Sequence, residues 1–393
     1  MITRILNPSQ KRSFLLLGPR QTGKSTYVKT LLKSQDLYIN LLPEHTHWMY
    51  AKDPAAFRQE ILAHQKRYPQ FTCIVDEVQK IPSLLDEVHD LIETYPLRFI
   101  LTGSSARKLR RGASNLLAGR ANHYRLYPLT VAELGDSFDL ERALHRGLLP
   151  YLWAESLNLM DEEEFLRAYT DLYLREEIQA EGIVRHIAPF ARFLDIAANN
   201  DGEIVNYSNI ARECAVSVKT VQEYYQILED TFLAYRLDPW FKSIRKRLVA
   251  HPRYYFFDMG ITNALCYQYS RLNPIVRGRR FEQFILQQLL ALNAYHRSGC
   301  QFFFWRTHTG IEVDLILTRQ QVIIAAIEIK SSSTNITSAK STLNTFREEY
   351  PEVPCFIIST VEKPRLLAPH ILALSWQAFL SKTWFELTTI SQT

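Results

Sequence analysis

The stretch that follows a short apolar run near the amino terminus reads Gly18-Pro19-Arg20-Gln21-Thr22-Gly23-Lys24-Ser25-Thr26. It matches G-x-x-x-x-G-K-[ST], the pattern of a phosphate-binding loop, at every position. The preceding Phe14-Leu15-Leu16-Leu17 predicts a buried parallel strand, and a helix is predicted from Lys24 onward. A glycine-rich turn that merely resembles the motif is the alternative, but a strand before the loop and a helix after it are the context that the motif requires.

We predict that all of these loop residues bind a nucleoside triphosphate, ATP, together with Mg²⁺. The backbone N–H groups of the loop and the positive end of the following helix would hold the phosphates. Lys24 would reach the β and γ oxygens, and Ser25 would hold Mg²⁺.

Two later strands are predicted to deliver polar side chains to the same edge of the sheet. Phe71-Thr72-Cys73-Ile74-Val75 ends in Asp76-Glu77, and Leu97-Arg98-Phe99-Ile100-Leu101 leads to Thr102-Gly103-Ser104. The carboxyl ends of parallel strands face the crevice where ligands bind. Asp76 would accept a hydrogen bond from Mg²⁺-bound water or ligate the ion, and Glu77 would orient and deprotonate the attacking water. A hydroxyl group at Thr102 would sense the γ-phosphate, so the pattern predicts hydrolysis as well as binding.

Composition sets limits on the kind of protein this is. The 393 residues are enough for two or three domains at roughly 100 to 200 residues per domain. The sequence is 47% hydrophobic and 22% charged, with no run approaching the roughly 18 apolar residues of a membrane helix, so no membrane partner is expected. The five cysteines show no paired spacing, and the amino terminus lacks the apolar core of a secretion signal, so a cytoplasmic location is expected. The net charge of +5 permits contact with nucleic acid without requiring it.

Alternating strand and helix patterns from about residue 14 to 129 predict a parallel α/β sheet with helices on its faces. From Val131 to about Glu181 the sequence is helical, and the acidic run Asp161-Glu162-Glu163-Glu164 is interpreted as a solvated helix start.

Two short helices separated by a tight turn are predicted between Asn206 and Thr231. Ser208 would cap the first and Ser217 the second, which leaves Lys219 facing outward. Two strands then flank the basic loop Lys242 to Arg247, so a winged helix is predicted. Double-stranded DNA would be its partner, although winged helices also serve as contacts between domains or proteins.

Carboxylates interrupt the apolar strands of the carboxy-terminal part. A basic turn, residues 277–280, is predicted to precede a helix from about Phe281 to Tyr295, with Glu282 in its first turn. Asp314 and Glu328 lie in apolar strands, and Lys330 points to the same face as Glu328. Because buried carboxylates are costly without a cation or a base, Glu282, Asp314 and Glu328 would bind Mg²⁺, with Lys330 assisting catalysis. The alternative is a simple ion pair between Glu328 and Lys330, with Asp314 capping a turn.

Several motifs together resemble a family. They are the phosphate-binding loop, Val75-Asp76-Glu77-Val78-Gln79-Lys80, Leu101-Thr102-Gly103-Ser104-Ser105, Leu117-Ala118-Gly119-Arg120, Tyr254-Tyr255-Phe256-Phe257-Asp258-Met259-Gly260 and Gly278-Arg279-Arg280-Phe281-Glu282. These resemble the prokaryotic AAA-like ATPases that carry a carboxy-terminal domain of unknown function similar to the restriction-endonuclease PD-(D/E)xK fold. The resemblance implies a P-loop ATPase core, a winged helix and this tail in one polypeptide. It also suggests Arg120 as a nucleotide-contacting finger, although Arg120 could instead pair with a carboxylate.

We therefore predict four regions: an ATPase domain at 1–130, a helical connector at 131–184, a winged helix at 185–270 and a nuclease-like domain at 271–393. The leading hypothesis is an ATPase that couples its nucleotide state to DNA engagement. A metal-dependent DNA nuclease is one alternative. The other is a nucleotide switch that binds a protein partner through an inactive tail, and assembly into a homo-oligomer is compatible with each hypothesis.

Overall fold

The computed structural model describes residues 2–106, 117, 119–153, 157–173, 187–241, 251–332 and 336–389. The chain divides into two compact units. The first unit comprises Met1–Leu134, Leu149–Ala154 and Gln226–Leu233. The second unit comprises Gly135–Leu148, Glu155–Tyr225 and Ala234–Thr393.

The first unit is built around a parallel sheet. Its strands are β1 (Ser13–Leu17), β2 (Leu37–Asn40), β3 (Thr72–Asp76), β4 (Arg98–Gly103) and β5 (Ala121–Arg125). Its helices are α1 (Lys24–Thr30), α2 (Glu44–Lys52), α3 (Pro54–Arg67), α4 (Leu84–Thr94) and α5 (Val131–Leu134).

The strands of this sheet lie in the order β2-β3-β4-β1-β5, and every neighbouring pair is parallel. Helices cover the sheet because its central strands are apolar on both faces, which is typical of parallel sheets. Leu15, Cys73 and Phe99 pack with Phe57 and Ile61 of α3 in one buried core. The predicted α/β fold and its three strands are confirmed, and the register carries Asp76 and Thr102 to the same edge of the sheet.

The second unit contains the remaining helices. Among the described residues, six α-helices of this unit lie before residue 270: α6 (Leu140–Arg146), α7 (Leu159–Ala168), α8 (Ile187–Asn199), α9 (Tyr207–Cys214), α10 (Val218–Asp230, whose last residues belong to the first unit) and α11 (Met259–Leu265). Four lie later: α12 (Pro274–His296), α13 (Ile336–Glu349), α14 (Trp376–Ala378) and α15 (Trp384–Thr389).

The acidic run starts a helix, as predicted, but it is not wholly solvated. Asn158 caps α7 in a capping box with Asp161. Glu162 is buried, and its carboxylate accepts from Arg142 at 2.6 Å and lies 3.4 Å from Arg146. The interpretation as a solvated helix end is therefore wrong for Glu162, because two arginines of α6 replace its water.

Helices α9 and α10 are joined by a tight turn, as the sequence predicts. The Ser217 hydroxyl accepts from the Thr220 N–H at 3.1 Å and caps α10. The predicted cap at Ser208 is wrong, since α9 begins at Tyr207 and the Asn206 side chain accepts from the Asn209 N–H. An asparagine in extended backbone geometry competes successfully with the serine two residues later.

The second unit also contains an eight-stranded mixed sheet. Its strands are β6 (Ala234–Pro239), β7 (Arg253–Phe256), β8 (Cys300–Arg306), β9 (Glu312–Arg319), β10 (Val322–Ile329), β11 (Cys355–Ser359), β12 (Arg365–Ala368) and β13 (Ile371–Ser375). They follow the order β12-β13-β11-β10-β9-β8-β6-β7. Strand β6 pairs antiparallel with β7 and parallel with β8, so the two strands after the helix pair continue into the carboxy-terminal sheet. The basic loop between them, Lys242 to Arg247, lies outside the described residues.

The long helix α12 begins earlier than the sequence predicts. Asn273 accepts from the N–H groups of Ile275 and Val276, and Pro274 occupies the first helical position. Residues 277–280 therefore form helical turns and no separate basic turn, and Glu282 lies in the third turn of the helix. Proline suits a first turn because its missing N–H would have no helical partner there.

Asp201 and Arg280 form a buried pair in the second unit. Their closest oxygen and nitrogen atoms are 3.5 Å apart, and Asp201 also accepts from the Phe256 N–H at 2.6 Å. Burial raises the pKa of Asp201 to about 6, although Arg280 and the N–H group act in the opposite direction.

This pKa predicts a pH-dependent stability. A folded-state pKa of about 6, above the ordinary value of 3.8, means that the folded chain binds the proton more tightly. The stability that protonated Asp201 contributes is therefore fully present below the ordinary pKa of 3.8 and is lost as pH rises through 6. Relative to wild type, Asp201→Asn should therefore gain about 2 to 3 kcal/mol in unfolding free energy between pH 4 and 7.

Denaturant titrations at several pH values would measure this difference. Glu203→Gln is the control, because Glu203 is exposed and pairs with Arg279 at the surface. A difference between Asp201→Asn and wild type that stays constant from pH 4 to 7 would contradict the assignment.

Among the described residues, no helix is both long and apolar enough to cross a membrane.

Candidate nucleotide site and carboxylate cluster

At two positions in the loop after β1, the backbone favours glycine over any other residue. A Cβ atom at Gly18 would lie 2.3 Å from the Leu126 carbonyl oxygen. Gly23 has φ +87°, in the left-handed region where side chains are disfavoured. The two motif glycines thus allow the chain to turn tightly between β1 and α1.

Lys24 is buried at the start of α1. Its Nζ donates to the carbonyl oxygens of Gly18 and Pro19, each at 2.8 Å, and the Thr22 hydroxyl also donates to Pro19 at 2.9 Å. These two carbonyl oxygens are neutral acceptors, and a phosphate anion would add charge-assisted hydrogen bonds to the ammonium group. The loop therefore fits a phosphate group.

Arg4, which the sequence reading did not single out, ties the loop to the rest of the first unit. Its guanidinium group donates to the Thr22 carbonyl at 2.8 Å and to the Tyr127 carbonyl at 2.6 Å. The buried Glu133 carboxylate holds it at 2.8 Å. No local motif marks this role, because its partners lie far away in the sequence.

Asp76 is buried at the end of β3 and accepts two hydrogen bonds. The Thr102 hydroxyl donates to Oδ1, and the Tyr38 hydroxyl donates to Oδ2 at 2.6 Å. Burial, followed by the bond to Asp76, raises the pKa of Tyr38 above its ordinary value. Each carboxylate oxygen keeps a lone pair for a further donor, which suits the predicted contact through Mg²⁺-bound water.

Glu77 lies next to this pair with φ +63°, a strained value for a residue with a side chain. Its N–H donates to the Thr102 hydroxyl at 3.0 Å. Its carboxylate accepts from the side-chain amide of Gln79. The structure therefore brings together the predicted residues Asp76, Glu77 and Thr102.

The other predicted nucleotide-site residues are placed as follows. Ser25 is half-buried and Thr26 exposed in the first turn of α1, while Arg20 is half-buried and Gln21 exposed on the loop. Arg120 forms an ion pair with Glu93, the alternative that the sequence left open. Its role as a finger arginine stays a prediction.

Asp314 of β9, Glu328 of the neighbouring β10 and Lys330, the residue that follows β10, meet in the second unit. Lys330 Nζ lies 2.6 Å from Glu328 and 3.2 Å from Asp314. Asp314 also accepts from the Ile329 N–H at 2.8 Å. The predicted juxtaposition on one face is observed, and the ion pair between Glu328 and Lys330 is formed.

Glu282 of α12 belongs to an adjoining network that the sequence reading missed. Arg253 of β7 lies 3.6 Å from Glu282 and pairs with Glu312, while the Tyr255 hydroxyl donates to Glu282. Burial, reinforced by Asp314, raises the pKa of both Glu282 and Glu328 above their usual range. The carboxylates thus crowd one another despite two cationic neighbours.

The fit of this cluster to a metal ion is incomplete. The buried Oε1 of Glu328 has no hydrogen-bond partner among the described residues, as expected of an atom that awaits a cation. Nevertheless, within the described ranges no three His, Cys, Asp or Glu side chains are arranged to hold a metal ion. Lys330 and Arg253 form ion pairs with these carboxylates. The binding of Mg²⁺ by Glu282, Asp314 and Glu328 therefore remains a prediction.

Three protein-family models match the chain, and the first of them covers most of the first unit. Residues 10–135 match the AAA domain family. Residues 137–273 and 277–379 match two domains of unknown function, DUF8612 and DUF4143. With its parallel sheet and phosphate-binding loop, the chain carries a P-loop AAA-like ATPase domain, and the resemblance seen in the sequence is confirmed for this part.

Curated proteins of three bacteria are similar to the chain in sequence. The chain is 31% identical over 310 residues to uncharacterized proteins of Mycobacterium bovis and Mycobacterium tuberculosis, covering 77% of this chain and 66% of each relative. It is 24% identical over 276 residues to an uncharacterized protein of Haemophilus influenzae, covering 63% of this chain and 67% of that protein. The chain thus spans about 66% of the length of the mycobacterial relatives.

Among solved structures, that of the Aeropyrum pernix ORC1 protein in complex with DNA is similar over 66% of this chain and 87% of that chain. The identity is 12% and the TM-score 0.28, too low to bear on the site.

Proposed function

We propose that this protein binds and hydrolyses ATP in the presence of Mg²⁺. The observation that carries the proposal is the buried Lys24 ammonium group in a loop whose turn depends on two glycines. This loop follows β1, and the strands β3 and β4 of the same sheet carry Asp76 and Thr102 at their carboxyl ends. The loop amides and Lys24 would bind the phosphates. Ser25 and Asp76 would hold Mg²⁺, which neutralises phosphate charge when bound.

Glu77 would act as the general base. A carboxylate that follows the Asp76 strand end can orient a water molecule and accept its proton. Thr102 fixes both neighbours, since its hydroxyl donates to Asp76 and accepts from the Glu77 N–H. The hydroxyl of Thr102 would therefore couple Asp76 to Glu77, so that a movement of one group when the γ-phosphate leaves would be transmitted to the other.

We further propose that the nucleotide state controls engagement of double-stranded DNA by the second unit. Helices α9 and α10, followed by the antiparallel pair β6 and β7, have the element order of a winged helix. Lys219 is exposed near the start of α10, and the sequence between β6 and β7 is rich in lysine and arginine. Such charges would neutralise phosphates without reading base sequence.

The test combines hydrolysis with DNA binding. Glu77→Gln should bind ATP without turning it over, and its affinity for a labelled duplex in fluorescence anisotropy should differ between ATP and ADP. The affinity should also fall steeply with added salt. Wild-type protein that hydrolyses ATP but binds no duplex at low salt in any nucleotide state would leave the ATPase proposal standing and refute the coupling.

A metal-dependent DNA nuclease is a second candidate. The buried Glu328 Oε1 beside Asp314 and Lys330 favours it, since this atom has no hydrogen-bond partner in the described part of the chain. Incubating the same duplex with Mg²⁺ or Mn²⁺ tests it. Cleavage by wild type that is lost in Asp314→Ala and Lys330→Ala would support this activity, and equal cleavage by all three proteins would eliminate it.

A nucleotide switch that binds a protein partner is the third candidate. The Lys330 ammonium, which already bridges Asp314 and Glu328, favours an inactive tail. Binding of a protein partner or of a second copy only with ATP, without any duplex binding, would support this alternative.

A further inference from the structure

Gln79 joins two groups of the nucleotide site. It lies in the helical turn Val78–Lys80, one residue after β3, and is only 4% exposed. Its Nε2 donates to the Glu77 carboxylate and, at 2.9 Å, to the Ser104 hydroxyl. One amide nitrogen therefore uses its two hydrogens on two different strand ends.

The orientation of this amide follows from its neighbours. The reversed amide would place a carbonyl oxygen against the Glu77 carboxylate, which is repulsive. In the observed orientation, Gln79 Oε1 is buried and has no hydrogen-bond partner within the described part of the chain. An unpaired buried amide oxygen costs about 1 to 3 kcal/mol. The side chain therefore donates to both Glu77 and Ser104, while its own carbonyl oxygen lacks a hydrogen bond in the described part of the chain.

Ser104 lies beside the phosphate-binding loop. In the pairing of β1 with β4, Leu17 is opposite Gly103, so the next residues along the two strands are Gly18 and Ser104. A change at the loop therefore has a short path through Ser104 to Gln79. From Gln79 the path continues to Glu77, whose left-handed backbone has little freedom to adjust by itself.

We propose that Gln79 is a positioning residue that holds the base Glu77 and links it to Ser104 beside the loop. This inference rests on the proposed hydrolysis of ATP. The amide orients the carboxylate toward the attacking water. It does not itself contact the reacting atoms. Because a misplacement of about 1 Å can cost roughly 100-fold in rate, removing the link should impair turnover more than binding.

Steady-state ATP hydrolysis by the full chain tests the link. Gln79→Met keeps the size of the side chain and removes both donors. We expect kcat to fall roughly 10- to 100-fold while KM changes less than about threefold. Gln59→Met is the matched control, since Gln59 is exposed on α3, and it should hydrolyse ATP at the wild-type rate.

The double variant tests the connection to Ser104. If the two residues act through one network, Gln79→Met combined with Ser104→Ala should be about as slow as the slower single variant. Multiplicative losses would overturn the link. An unchanged kcat in Gln79→Met, or a loss confined to KM, would overturn the positioning role.

A further variant tests the role of the donor. Gln79→Glu has a similar shape but places a second carboxylate beside the Glu77 carboxylate, which it would repel, so it should lose at least as much kcat as Gln79→Met. Thermal unfolding without nucleotide checks that both variants are folded. Wild type without ATP hydrolysis would refute the proposed function and this inference together, whereas active wild type with fully active variants would refute only the inference.

Discussion

Lys24→Ala is expected to abolish ATP hydrolysis, with a loss of at least about 100-fold in kcat/KM. The ammonium group is buried within the loop, where its charge-assisted hydrogen bonds to phosphate oxygens would be shielded from water. It donates to the carbonyl oxygens of Gly18 and Pro19, which hold the group at the loop. Calorimetric titration with ATP would measure the loss of binding, and a phosphate-release assay would measure the loss of hydrolysis.

The control for this prediction is Lys33→Ala. Lys33 is an exposed lysine shortly after α1, so the variant has the same change in net charge without a change in the loop. It should bind and hydrolyse ATP as wild type does. Lys24→Ala should still fold, because the Thr22 hydroxyl continues to donate to the Pro19 carbonyl. Turnover by Lys24→Ala at the wild-type rate would show that this loop is not the nucleotide site.

Gly260→Ala is expected to destabilise the second unit by about 3 kcal/mol, the upper end of the usual cost of overpacking. A Cβ atom there would lie 2.0 Å from the Arg146 carbonyl oxygen and 3.0 Å from the Gly147 nitrogen. Both are backbone atoms, and Gly147 is itself confined by the Asp258 carboxylate, which accepts from the Leu148 N–H at 2.6 Å. The approach of α11 to the end of α6 therefore leaves no space for a methyl group.

Denaturant titration would measure this loss, and hydrogen exchange at the Leu148 amide would locate it. Gly278→Ala is the matched control, since Gly278 lies inside α12 with Ser331 Oγ, 3.7 Å away, as the nearest atom to an added Cβ. It should stabilise the protein by about 0.5 to 1 kcal/mol, because alanine restricts the unfolded chain. A Gly260→Ala protein as stable as wild type would refute the close packing.

Local patterns were sufficient wherever a feature depends on consecutive residues. The loop from Gly18 to Thr26, the apolar strands that precede it and Asp76, and the Ser217 cap all follow from short-range rules of phosphate binding, strand burial and capping. The same rules predict the start of α12 too late, since Pro274 occupies the first helical position and Asn273 caps the helix.

The contacts that hold the sites together could not be predicted in this way. Arg4 reaches Glu133, and Arg253 reaches Glu312, across long stretches of chain. The joining of β6 to β8 likewise depends on which strand edges the folded unit leaves available.

The amino-acid sequence by itself determined that the chain has a phosphate-binding loop on a parallel α/β sheet, because the motif and its strand are contiguous and their chemistry is local. Only the tertiary structure decided which groups hold the catalytic candidates in place. Gln79 contacts Glu77 and Ser104, and Lys330 bridges Asp314 and Glu328, because separate strands end or pair side by side. Pairing between distant segments depends on the packing of the whole unit, and no short stretch of sequence encodes it.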